Sequence, residues 1–96
     1  MIPLNSLLPK RMKDAGLARN IMVARILEEA RLWIDNHFGA ELSNGATVLS
    51  LSRGDIIIRA ENHALAREIK LHEREIADFI NDKFKGNIVN RIRFTV

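Results

Sequence analysis

Thr47-Val48-Leu49-Ser50-Leu51-Ser52-Arg53-Gly54-Asp55-Ile56-Ile57-Ile58-Arg59-Ala60 is the stretch whose reading decides the fold. Two short runs rich in β-formers, 47–52 and 55–60, flank Arg53-Gly54, and that spacing predicts a hairpin. Alternation then sorts the side chains. Leu49, Leu51, Ile56 and Ile58 are expected on a core face, with Val48, Ser50, Ser52, Ile57 and Arg59 on the other.

Toward the N-terminus, Ser43-Asn44-Gly45 is a turn cluster, preceded by Val23, Ile26, Leu27, Ala30, Ile34 and Phe38 at three- and four-residue steps. Such spacing marks one face of an amphipathic helix, with Trp33 and His37 flanking it and Gly39 as its stop. Residues 1–16 hold Pro3, Pro9 and the cluster Lys10, Arg11, Lys13, which suits a basic arm or short helix ahead of a domain at 17–96. Toward the C-terminus, Asn62 is placed to cap a long helix through Leu65, Ile69, Ile76, Phe79, Ile80 and Phe84, closed by Gly86. Ile88, Ile92, Phe94 and Val96 then alternate with Val89, Arg91, Arg93 and Thr95, the period of a strand buried on one side. The predicted order is α-β-β-α-β: an α+β domain with a three-stranded antiparallel or mixed sheet and two helices packed on one face.

Composition narrows the function. Ninety-six residues, 47% hydrophobic and 28% charged, suffice for one small core. The absence of cysteine excludes disulfides, thiolate chemistry and Cys-ligated metal. Apolar runs such as Ile56 to Ile58 fall far short of the roughly 20 residues of a membrane helix, and Met1 to Gly16 lacks a signal-peptide core. The expectation is a soluble cytoplasmic protein with no membrane partner. His37, His63 and His72 do not stand at metal-ligand spacing, and His72-Glu73-Arg74-Glu75-Ile76 starts like a zinc-protease motif but lacks its second histidine. With no acid, base and nucleophile set to assemble, the chain is read as a non-enzyme without cofactor or metal. His72, on the apolar stripe, is expected to be a boundary histidine bonded to a neighbour.

Fifteen Lys and Arg against twelve Asp and Glu give +3, and ten of the fifteen are arginine, whose planar fork suits phosphate. Three groups are candidates for nucleic-acid binding: Arg59, Arg91 and Arg93 on the uncovered sheet face, Arg67, Lys70 and Arg74 along the second helix, and Lys10, Arg11 and Lys13 on the arm. Trp33, Phe38, Phe79, Phe84 and Phe94 fall mostly at core positions, so binding would rest on phosphate charge rather than base stacking, and DNA is not separable from RNA at this level. The alternative is a protein-interaction adaptor without nucleic-acid binding, docking through sheet edges or the acidic stripe Glu68, Glu75, Asp78 and Asp82. Exposed sheet edges also leave a homodimer open.

The stretch Leu51 to Ile58, the segment Asn62 to Ile69 with Glu68-Ile69, and Ile80-Asn81 leading through Gly86 and Val89 to Ile92-Arg93-Phe94 resemble the bacterial DciA family. Leu7-Leu8, Gly16-Leu17, Trp33 and Phe38-Gly39 fit more loosely, the family often placing its tryptophan slightly nearer the glycine. The resemblance implies a KH-like α/β domain, although the GxxG loop of the usual RNA-binding KH domain is missing. It also implies DNA binding and a replicative DNA helicase as partner, with no catalytic residues to transfer. Many members carry an added tail that looks like a helicase-contacting segment, whereas this sequence ends at Val96.

Overall fold

The hairpin forms where its spacing puts it, β1 (Ala46–Ser52) pairing antiparallel with β2 (Asp55–Ala60). Arg53 and Gly54 both take positive φ, 52° and 86°, as a type I′ reversal requires. A Cβ on Gly54 would also meet Asn90 Nδ2 at 2.5 Å, so two constraints select glycine there. This computed structural model describes residues 10–95, with side chains described from Asn20 onward. Pro3, Pro9, Val96 and the side chains of Lys10, Arg11 and Lys13 therefore lie outside the described residues.

The hairpin register corrects the alternation. Leu51 faces Ile56, but Val48 faces Ile58 and Ser50 faces Ile57, so Leu49 is an extra residue in a β-bulge. Val48 consequently packs on the core beside Leu51, while Leu49, expected inside, is exposed. Without the bulge, Thr47 would point its hydroxyl inward opposite Ala60. With it, Ala46 takes that place and Thr47 faces out opposite Arg59.

β3 (Arg91–Thr95) runs parallel to β2, giving a mixed sheet of order β1-β2-β3. It starts later than alternation suggested, because Asn81 holds the preceding residues off the sheet. The Asn81 Oδ1 accepts from the Ile88 and Val89 amides, each at 2.8 Å, and its Nδ2 donates to the Val89 carbonyl at 2.9 Å. Val89, expected on the open face, is instead buried in the core.

Helix α1 (Lys10–Ser43) buries Ile26, Ala30 and Ile34 at four-residue steps. Gly39 interrupts it at φ 86°, ψ 158°, and one further turn follows, the Asn44 amide donating to the Ala40 carbonyl. The single long second helix is in fact two, α2 (His63–Lys70) and α3 (Glu73–Phe84). Asn62 caps α2 as expected, its Oδ1 accepting from the Leu65 amide at 2.8 Å. The break contains no glycine or proline; Leu71 is 72% exposed and the His72 amide closes a short turn on the Ile69 carbonyl. At the far end the left-handed residue is Lys85, not Gly86, whose amide donates to the Asn81 carbonyl.

The order is thus α-β-β-α-α-β, an α+β fold. Ile26, Ile34, Ile56, Ile58, Ile69, Ile76, Ile80 and Ile92 make one nearly all-isoleucine core, each side chain contributing about 1.5–3 kcal/mol by burial. Every sheet residue in that core comes from one face, so the helices lie on that side. No helix among the described residues is long and apolar enough to cross a membrane.

Candidate nucleic-acid interface

Pairing register lays out the other face as a grid. Thr47, Arg59 and Thr95 form one row, Ser50, Ile57 and Arg93 the next, and Ser52, Asp55 and Arg91 the last. Among the described residues no element packs over it. β2 carries Ile56, Ile58 and Ala60 inward and presents Asp55, Ile57 and Arg59 outward, and β3 likewise presents Arg91, Arg93 and Thr95.

Asp55 organises two of the three sheet arginines. Its Oδ1 lies 3.2 Å from Arg91 Nε and its Oδ2 3.4 Å from Arg93 NH1. The carboxylate is only 14% exposed, whereas the Arg91 and Arg93 side chains are 65% and 62% exposed. One recessed acid therefore braces two cations whose surfaces remain open to solvent. Three arginines and one aspartate leave the face at +2, with serine and threonine hydroxyls along the β1 side. Sequence reasoning placed Arg59, Arg91 and Arg93 correctly on this face but missed Asp55; the alternation that exposes Ile57 and Arg59 also exposes the residue two before Ile57. Arg53, exposed at the hairpin tip, was likewise passed over.

The helix-borne cations are not brought onto the grid, since α2 and α3 lie across the sheet from it. Arg67 is exposed on α2, and Arg74 on α3 stands 92% exposed with Asp78 4.0 Å away. Lys70 is committed to the fold: its Nζ lies 2.7 Å from Glu73 Oε2 and donates to the Ile92 carbonyl at 2.8 Å. Glu73 Oε2 in turn accepts from the Ile92 amide at 2.7 Å. Burial works to raise the Glu73 carboxyl, but the Lys70 and Ile92 hydrogen bonds and the charges of Lys70 and Arg91 together hold it below the ordinary carboxylate value.

His37, His72 and Trp33 pack together, whereas His63 stands exposed at the start of α2. His72 stands at the N-cap position of α3 without a side-chain capping bond; its Nδ1 pairs with Glu75 Oε1, inside a cluster of rings with Trp33, His37 and Phe38. Trp33 stacks on His37 with centroids 4.6 Å apart, and His37 meets His72 at 4.3 Å, welding the end of α1 to the α2–α3 junction. No group of three or more His, Asp or Glu among the described residues is arranged to hold a metal ion. Beside this cluster, Leu32, Trp33 and Phe79 line a shallow groove between α1 and α3. Glu29 and Asn36 edge it, and Lys83 spans it, 3.3 Å from Glu29 and over the Phe79 ring.

The chain matches the family described as Dna(CI) antecedent, DciA, over residues 3–94. No curated protein and no solved structure matches it. The matched span takes in the hairpin, both helices that follow it and nearly all of β3. On that evidence the chain belongs to the DciA family, which takes part in loading the bacterial replicative DNA helicase.

Proposed function

We propose that this protein binds nucleic acid through the open sheet face as part of its helicase-loading role. The observation that carries the reading is the pair Arg91 and Arg93, braced by Asp55 yet each more than half exposed, with Arg59 on the neighbouring strand one row beyond Arg93. Guanidinium groups spaced along two neighbouring strands suit a phosphate backbone, and the face offers no aromatic ring for bases to stack on. Arg67 and Arg74 act as peripheral charge, and Lys10, Arg11 and Lys13 extend the basic character from the start of α1. The hypothesis is tested by anisotropy of labelled single-stranded DNA, duplex DNA and RNA over a salt series. Affinity should fall with a log–log slope of about −0.7 per phosphate on single strands or about −0.9 on duplex. A flat salt response, or one unchanged in the Arg91→Glu, Arg93→Glu double variant, would sink it.

A second reading concerns where the protein partner sits. The Leu32, Trp33 and Phe79 groove is apolar, and its one rim carboxylate, Glu29, is already paired with Lys83, which favours the apolar face of an amphipathic partner helix. Under this reading Leu32→Asp with Phe79→Asp abolishes helicase pull-down and leaves nucleic-acid binding within twofold (about 0.4 kcal/mol). Loss of both together would merge the two surfaces into one.

A further inference from the structure

β3 is an edge strand, and edge strands template further pairing unless something closes them. In a parallel pair the amide and carbonyl of one residue point the same way, and alternate residues point oppositely. The Ile92 pair points away from β2, because Lys70 Nζ meets its carbonyl at 2.8 Å and Glu73 Oε2 its amide at 2.7 Å. The same Glu73 oxygen lies 2.7 Å from Lys70 Nζ, closing the three groups into a ring. One side chain donates and the other accepts, as a neighbouring strand would. Lys70 ends α2 and Glu73 begins α3, so the unexplained break between those helices is what sets both side chains over Ile92.

We propose that the Lys70–Glu73 ion pair is a plug on the β3 edge that keeps the strand of a second copy from pairing there. The β1 edge has a different safeguard, the bulge at Leu49, which interrupts its ladder. The occupant excluded at β3 is a second β3 in antiparallel register, since its own Ile92 groups are the complement of those the plug satisfies. Such a pair would set Arg91 and Arg93 of two copies side by side on the outer face, a like-charge contact that salt screens. Self-association through this edge therefore strengthens with salt, opposite in sign to nucleic-acid binding.

The test is sedimentation of the full chain with Lys70→Ala and Glu73→Ala combined, across protein concentration and at low and high sodium chloride. The variant is expected to dimerise with increasing salt while wild type stays monomeric. Amide exchange supplies a readout that survives a weak dimer: Glu73→Ala should lose about tenfold or more protection at Ile92, whose partner is a charged group, and none at Arg93. Should the double variant fail to fold, Lys70→Met, which keeps the Ile92-to-Glu73 bond, is expected to dimerise more weakly under the same salt. Acid acts in the same direction on wild type. The Glu73 carboxyl is held low by the fold, so its contribution is complete above the ordinary carboxylate value and is lost as pH falls through the lower folded one. Folded variants that remain monomeric at high salt, or a wild type already paired through β3, would overturn the proposal.

Discussion

The strand-borne and helix-borne cations look alike in the sequence and differ in what the fold does with them. Arg91 and Arg93 stand on a short strand whose inward neighbour Ile92 is fully buried, and a recessed Asp55 fixes both heads. Arg67 and Arg74 stand on helix surfaces, and Lys70 between them is spent on a backbone carbonyl. Charge count does not make a surface; spacing on a rigid, braced element does, because less side-chain freedom is lost on binding.

Charge reversal is the largest way to break this contrast. Arg91→Glu with Arg93→Glu should lower nucleic-acid affinity by on the order of a hundredfold at low salt and reduce the salt slope by about two phosphates' worth, read by anisotropy. An effect below threefold would return the two groups to equal standing. Asp55→Asn sharpens it. Removing the one negative charge on the face is expected to raise affinity about threefold at low salt, with the gain vanishing at high salt as screening takes over. A loss of affinity instead would mean that bracing outweighs repulsion. The smallest effect belongs to the helices: Arg67→Gln with Arg74→Gln should change affinity by less than about twofold. A larger loss would carry the interface around the β3 edge onto α2 and α3.

Much of this fold could be read in advance, and the misses share a cause. The turn at Arg53-Gly54, the Asn62 cap and the placement of Arg59, Arg91 and Arg93 follow from local chemistry and a period of two. The Leu49 bulge does not, because Val48 and Leu49 are both good core residues and only the packing opposite Ile58 and Ala60 decides between them. The helix break at Leu71 is equally silent. Leu65, Ile69, His72, Ile76 and Ile80 continue one helical stripe, and the bonds that Lys70 and Glu73 make across the break go to Ile92 on a distant strand, which no local signal announces. Val89 departs from the alternation for the same reason, its own amide and carbonyl being held by Asn81 from another element. Asp55 is legible by the same alternation, standing two residues before Ile57 on β2.

The Gly54 carbonyl accepts from the Asn90 amide at 2.7 Å and from the Arg91 amide at 3.3 Å, so the hairpin turn doubles as the seat on which β3 begins. Hairpins close in microseconds, whereas parallel pairing must wait for the chain between to collapse. The last strand to arrive is then the one bearing Arg91 and Arg93, and the binding face is expected to be the final part of the molecule to assemble. In refolding, emission from Trp33, packed on the α2–α3 junction, should recover before the capacity to bind a labelled oligonucleotide; simultaneous recovery would mean that β3 docks with the nucleus rather than after it.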